Sequence, residues 1–482
     1  YESVIRPVVE GGGGAIFLVP EVKGIDEAQR RLEAAFPGKV ANLHSELTGL
    51  ARRGGYLSLI RRGKPIALGT RSAIFAPVSN LGIIVLDEEA SEAYKSPDSP
   101  FYDSRAVALF RSGIEGCGVV FGSGHPSVES VNRVLTKEMT QRAQKSAEGL
   151  PPVTRIDLRG TKRGGAVMSQ ELVESLRSTF LAGGKAVLFL NRRGSATQVT
   201  CRECGETLLC PRCNVPFSHH SKEVSLVCHT CGQRVEAPEA CPKCGGRNWY
   251  FAGFGIERDQ SEFARVFPDV PLFRLDRDTA KERPSAKALA EFGKTVPSCL
   301  LCTALGLGYK VPGVGLVGVL SSDTILNLPD YRASERVFHL LSSLREMVDP
   351  GVSGASFVVQ TYNPDNPGIK GLMGADRFYA WTLDERRTFG YPPAKRLFAV
   401  HFRGRNEDRV KDAAASYATY ARSHGEGSTV LGPVPAPKSK VRGEYRWQVV
   451  LRGGDPAAVA STHKRALAAK SGVRVYIEAD PI

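Results

Sequence analysis

Long apolar runs are missing from this 482-residue chain. No stretch approaches the ~18 consecutive apolar residues of a membrane span, so no transmembrane helix is expected. No signal-peptide pattern follows Tyr1, and no secretory leader is expected. There is no internal repeat and no low-complexity tract, which sets aside solenoid and disordered classes. Acidic residues are the scarcer charge: 50 Asp and Glu stand against 64 Lys and Arg, a formal net charge of +14. The excess is uneven, because residues 390–482 carry 16 Lys and Arg but only 8 Asp and Glu. Such a balance suits a polyanion, the bland alternative being an ordinary solvated basic face. With 42% apolar residues the chain has material for real cores, and its length suggests three or four domains of ~150 residues.

What the chain does have is cysteine, placed for metal. Eight of its eleven cysteines form four Cys-x-x-Cys pairs: Cys201/Cys204, Cys210/Cys213, Cys228/Cys231 and Cys241/Cys244. One such turn aims two thiolates at a tetrahedral ion, and two turns complete a Cys₄ site. Two closed zinc sites are therefore expected, with iron–sulfur ligation the less favoured choice. Four half-sites allow three pairings. The stretch "NVPFSHHSKEVSLV" between Cys213 and Cys228 is long enough for a hairpin, which favours a nested pairing; a cross-braced one stays open. Eight thiolates leave no vacancy for His219, His220 or His229, which read as solvated. Cys117, Cys299 and Cys302 read as buried core thiols, in keeping with a reducing cytosol.

Residues 1–135 alternate strands and helices. "AIFLVP", "PIALGT", "LGIIVLD" and "CGVVFGSG" are continuous apolar runs, as in a parallel sheet covered on both faces, and "IDEAQRRLEAAF" has helical spacing. A second alternating block starts near residue 151, with strands "AVLFLN", "VPLFRLD", "CLLCTA", "GLVGVLSSD" and "SFVVQTY". The cysteine segment interrupts that block, so it is an insertion, and Trp249, Tyr250 and Phe251 are expected to pack back on the second block. A Pro/Gly boundary, "FGYPPAKR", precedes a last α+β piece. Ligands in such sheets sit at the carboxyl ends of the strands. One such end, "IVLDEEA", carries Asp87, Glu88 and Glu89, a weak signal when taken alone.

In order along nearly the whole chain, "VPEV", "GTRSAIFAP", "LDEEASEAYKSPDSPFYDSRAVALFR", "LFLNRRG", the eight cysteines, "RLDRDT", "YRASERVFHLL" and "LGPVPAPKSKVRGEYRWQVVL" resemble the bacterial primosomal protein N′ (PriA) family of replication-restart proteins. The resemblance implies two RecA-like superfamily 2 helicase lobes, a double zinc-ribbon insertion in lobe 2 and a small α+β carboxy-terminal domain. It divides the chain into lobe 1 (1–150), lobe 2 (151–198 and 246–388), a zinc insertion (199–245) and a DNA-binding domain (389–482). It also implies the nested zinc pairing: Cys201, Cys204, Cys241 and Cys244 outside; Cys210, Cys213, Cys228 and Cys231 inside.

By the same resemblance, two Zn²⁺ ions are expected per chain. DNA is expected as the partner, branched or single-stranded, with Arg71, Tyr94, Lys95, Tyr102 and Arg105 in contact with it. For Tyr94 and Tyr102 the competing reading is packing against lobe 1. Single-stranded DNA-binding protein and primosome or helicase-loading proteins are further implied partners. A monomer in a bacterial cytoplasm, associated with the nucleoid, is expected.

The departures concern the motor. The family's phosphate loop would precede the first residue here. Its acidic box ends in His, where this chain has Ala90, and its Gly-Ser-Ala-Thr-Pro reads Gly122-Ser123-Gly124-His125-Pro126. Two arginines that reach phosphate in the family fall on Met347 and Pro350, with Arg345 on another face and Pro350 a helix breaker. Asp87 and Glu88 are thus expected to be vestigial, and the altered motifs argue against use of ATP and Mg²⁺. The alternative is an active 3′→5′ helicase.

Overall fold

The computed structural model describes residues 1–61, 63–142, 149–159, 167–191, 199–220, 225–236, 238–251, 256–276, 285–307, 309, 311–326, 330–424, 427–456, 458–459, 461 and 472–481. The quoted positions 192–194, 221–224 and 277–279 lie outside that set. The chain divides into two compact units near residue 142.

In the first unit, strands β1 (Gly14–Leu18), β2 (Val40–Leu43), β3 (Ile66–Gly69), β4 (Leu81–Leu86) and β5 (Gly118–Phe121) form a parallel sheet in the order β2-β3-β1-β4-β5. Every residue of β1 and β3 is buried, as continuous apolar runs require when helices cover both faces. Alternation sends Ala15, Phe17, Leu68 and Val85 to one core with Ile5, Ile25 and Leu32. Ile16, Leu18, Ile84 and Leu86 enter the other with Tyr94 and Ala108. The helix Ser104–Glu115 starts where the Asp103 carboxylate accepts from Arg105 N–H, and stops at Gly116, whose φ of 68° reverses the chain.

The second unit opens with β6 (Val153–Asp157) and β7 (Lys185–Leu190). The cysteine-rich segment follows, with short strands β8 (Val199–Cys201), β9 (Ser218–His220), β10 (Ser225–Val227), β11 (Arg234–Glu236) and β12 (Trp249–Phe251). Then come β13 (Leu272–Leu275), β14 (Ser298–Cys302), β15 (Val314–Ser321) and β16 (Ser356–Thr361). These four join β6 and β7 in a parallel sheet ordered β13-β14-β7-β15-β16-β6. The cysteine segment therefore leaves and re-enters one sheet, as an insertion does. Cys299 and Cys302 lie at zero exposure in β14, and Cys117 is also buried, as read from the sequence.

The last element group is β17 (Leu397–Gly404), β18 (Ser428–Val441), β19 (Glu444–Gly453) and β20 (Arg474–Ala479), antiparallel in the order β18-β19-β17-β20. The helix Glu407–His424 covers one face of this sheet through Val410, Ala414, Tyr417 and Ala421, which pack on Phe398, Val400, Phe402 and Val449. Among the described residues no helix is long and apolar enough to cross a membrane.

Asp323, just beyond β15, is buried and, among the described residues, meets no cationic partner within hydrogen-bond reach. Its carboxylate accepts from Thr361 Oγ1 (2.9 Å) and Tyr362 N–H (3.1 Å). Burial outweighs these bonds and pushes its pKa up to about 6. The unfolded carboxyl titrates near ~3.9, so the folded state holds the proton more tightly. That stability is fully present below about pH 4 and is lost as pH rises through about 6. Asp323→Asn should match wild type near pH 4 and exceed it at pH 8 by on the order of 2–3 kcal/mol. Urea titrations at the two pH values measure this, and a pH-independent difference would refute it.

Candidate metal centres and the acidic strand end

Each cysteine pair sits in the same backbone turn. The first Cys N–H donates to a carbonyl five residues on: Cys201 to Glu206, Cys210 to Val215, Cys228 to Gln233 and Cys241 to Gly246, at 2.7–2.9 Å. Its own carbonyl accepts from the residue four on: Gly205, Asn214, Gly232 and Gly245, at 2.7–2.8 Å. Those four residues all have positive φ, between 50° and 81°. Only glycine, or asparagine at small cost, fits there. The signal is legible as "CRECG", "CPRCN", "CHTCG" and "CPKCG", and the sequence reading passed over it.

The turns come together in the nested arrangement. Cys201, Cys204, Cys241 and Cys244 form one cluster and Cys210, Cys213, Cys228 and Cys231 the other, each with its sulfurs within 4.8 Å of one another. The hairpin of β9 and β10 joins the inner pairs, while β8 pairs with β12 around the outer ones. Sulfur separations of 3.7 Å (Cys201–Cys244), 3.5 Å (Cys204–Cys241) and 3.6 Å (Cys210–Cys231) suit a tetrahedron with Zn–S bonds of about 2.3 Å. The donor sets thus fit zinc, and four thiolates close each site to water. Each ion would cross-link its knuckles and leave no position for catalysis.

The two clusters are fastened to different partners. A Cβ added at Gly205 would fall 1.9 Å from the carbonyl of Tyr362, just past β16, so the outer knuckle rests on the six-stranded sheet. A Cβ at Gly232 would fall 2.6 Å from Val434 of β18, so an inner knuckle rests on the four-stranded sheet. Tyr391 donates its hydroxyl to Cys213 O (2.7 Å), and Gln448 Nε2 donates to His229 O (3.0 Å). His229 is therefore buried, a correction to its reading as solvated: the docked knuckle carries it under the sheet. Trp249 is also corrected. Pairing of β12 with β8 turns it back over the module, where it donates to Pro238 O (3.1 Å) and packs in the cluster of Cys210, Phe217, Tyr391 and Val450. The side chains of His219, His220, Tyr250 and Phe251 lie outside the described residues.

At the carboxyl end of β4, Asp87 accepts from the Tyr1 hydroxyl at 2.6 Å. Tyr1 lies edge-on to Phe17 (5.3 Å), and a Cβ at Gly122 would fall 1.7 Å from its hydroxyl oxygen. Glu88 is exposed on a residue with φ of 49°. Glu89 is buried and accepts from Ser127 N–H (2.6 Å) and Ser127 Oγ (3.0 Å), with burial pushing its pKa up.

The aromatic-rich loop is tied down by the residues assigned to DNA. Tyr94 has no exposure, and its hydroxyl bonds Leu18 O (3.0 Å) and Asp87 O (2.6 Å). Lys95 is buried too. Their assignment as DNA contacts is thereby corrected, because an enclosed ring offers no face to a base and the loop needs it to join two strand ends. Arg71 donates to Ala93 O (3.1 Å) and Lys95 O (2.9 Å). Arg105 forks onto Asp103 and donates to Glu89 O (3.0 Å). Tyr102 is half-buried and edge-on to Phe75, an exposed ring that the sequence reading did not single out.

In the second unit, the helix Ala333–Arg345 ends five residues before Pro350, so the proline is not what stops it. Met347 and Val348 are buried in the sheet's core. Arg345 donates to Pro151 O (2.6 and 2.8 Å) and Leu372 O (2.9 Å).

The family model described as "Primosomal protein N C-terminal domain" matches residues 387–482. The chain is 33% identical to "Replication restart protein PriA" of Treponema pallidum (strain Nichols), covering 98% of this chain and 73% of that protein. It is 32% identical to the protein of the same name in Bacillus subtilis (strain 168), covering 97% and 59%. A solved structure of RecG bound to a three-way DNA junction overlaps 82% of this chain and 42% of its own, with a TM-score of 0.40 and 14% identity.

Freshly purified protein should hold two zinc ions per chain by metal analysis; one or none, with eight free thiols, would refute the assignment. Cys213→Ala should leave about one ion and expose the four-stranded sheet to protease, since Cys213 lies in the core shared with it. Cys244→Ala, at the exposed corner of the outer cluster, should leave about one ion with that sheet still resistant.

Proposed function

The chain belongs to the family of PriA replication restart proteins, and from that premise we propose that it is a zinc-containing DNA-binding restart protein without a working motor. Its domains are proposed as lobe 1 (1–150), lobe 2 (151–198 and 246–388), the zinc insertion (199–245) and the carboxy-terminal DNA-binding domain (389–482). It meets branched or single-stranded DNA at stalled forks, with single-stranded DNA-binding protein and helicase-loading proteins as its protein partners. Arg71, Tyr102 and Arg105 remain the proposed DNA contacts of lobe 1.

The observation that carries the inactive motor is the exit of the helix Ala333–Arg345. Where the resemblance places two arginines, this chain has Met347, which is buried, and Pro350, and the Arg345 guanidinium is spent on carbonyls. An arginine at that point is worth on the order of 10³–10⁵ in rate, through charge stabilisation of the transferring phosphoryl group. The bond from Tyr1 to Asp87 agrees with this reading, because that carboxylate already has a donor. Asp87 and Glu88 are the retained, vestigial acidic end.

A DNA-stimulated ATPase assay on the whole protein tests the proposal. No turnover above background is expected, and Glu88→Gln should bind DNA as wild type does. Robust turnover that Glu88→Gln eliminates would instead support an active helicase. DNA affinity should fall steeply with salt and show little sequence preference, as phosphate contacts dictate. Salt-independent affinity, read by fluorescence anisotropy, would count against phosphate as the ligand.

A further inference from the structure

The four-stranded sheet has two unlike faces. One is apolar and lies under the helix Glu407–His424. The other is divided along its length. At one end Leu397, Leu431 and Val450 pack with the inner cysteine knuckles. At the far end the strand register places Arg446, Arg403 and Arg474 in one row across β19, β17 and β20. The next row is Gln448, His401 and Tyr476.

Arginines directly across neighbouring strands repel one another at ~4.8 Å strand spacing. One carboxylate, Glu444, bonds both Arg403 and Arg474. Arg446 Nε is enclosed and, among the described residues, has no acceptor. An enclosed N–H without an acceptor costs stability, and the row sets three guanidinium charges against the one carboxylate of Glu444, so an anion at its open atoms is favoured. Beside this row the Tyr476 ring stacks on His401 at 4.9 Å with 26° between planes, and His401 Nε2 lies 3.3 Å from Glu478. The Arg474 side chain is 67% exposed.

From this we infer that the free end of the sheet face is a binding site for single-stranded DNA, with Arg446 and Arg474 holding phosphates and Tyr476 stacking on a base. The inference deepens the restart reading and rests on it. The strand order β18-β19-β17-β20 suits the role. Four antiparallel strands with a helix behind leave one face for splayed bases, the arrangement that RNA-recognition sheets use. Duplex would present its bases edge-on in a groove, where a flat ring finds no partner. The inner zinc knuckles cover the apolar end and so confine the strand to the arginine row.

The test uses the whole chain, a labelled oligo-dT and anisotropy across a salt series. The double variant Arg446→Gln, Arg474→Gln should bind about tenfold more weakly. Its salt slope should be shallower by about 1.4, two phosphate contacts at ~0.7 each. Replacing both by Lys should keep the slope, which separates lost charge from lost fold. Tyr476→Ala should bind several-fold more weakly with the slope unchanged, since stacking releases no counterions. Retained zinc and an unchanged melting temperature confirm folding. If the wild type binds DNA and the double variant keeps both affinity and slope, this site falls while the restart reading stands. If the wild type binds no DNA, both fall. Loss of an acidic peptide's binding with oligo-dT binding intact would assign the row to protein and overturn the inference.

Discussion

The second unit hangs on one tyrosine. The Tyr391 ring stacks on Tyr331 at 4.5 Å with 3° between planes, and the Arg452 guanidinium lies 5.9 Å from its centroid. Its hydroxyl reaches the backbone of the inner knuckle at Cys213. A single buried side chain thereby ties the turn before the helix Ala333–Arg345, the cysteine module and the four-stranded sheet. Nearby, Arg386 and Glu335 form an enclosed ion pair, with Arg386 also donating to Pro392 O (3.1 Å). Removing one partner of such a pair costs about 3–5 kcal/mol, because the other charge is left buried. The Pro/Gly-rich boundary at 389–396 is therefore not slack chain. It is where three bodies are bolted together.

This is also where sequence and structure part company most clearly. "FGYPPAKR" reads as a boundary from composition, and composition carries no sign that Tyr391 is the bolt. Strands announced by apolar runs stand close to where they were read, because a run covered on both faces has no polar alternative. The missed strands lack that signal. β6 is an edge strand, and its exposed Thr154 and Arg155 dilute the pattern. β18 holds three prolines, which an edge strand tolerates because it pairs with a neighbouring strand on one side alone. β2 is four residues between turns. Among site residues the cysteines were legible because metal geometry is local. Tyr94 was not, because whether a ring in a loop turns inward depends on carbonyls 7 and 76 residues away.

The three carboxylates of the acidic strand end have different surroundings. Asp87 meets a phenol, Glu89 meets Ser127, and Glu88 lies at an exposed position. A carboxylate cluster holds Mg²⁺ only when its oxygens point to one place. Identity of residues is not convergence of their lone pairs.

The knuckle glycines change what a lesion in this module reports. Gly205 and Gly232 touch neighbouring sheets through the space where a side chain would be, so each is both part of a metal turn and a contact surface. The module is a spacer whose two ends are zinc sites. A bulky residue at Gly232 would leave all eight sulfurs in place and still displace the sheet that carries the arginine row. A defect in nucleic-acid binding mapped to the zinc segment is then a statement about position, not about metal affinity.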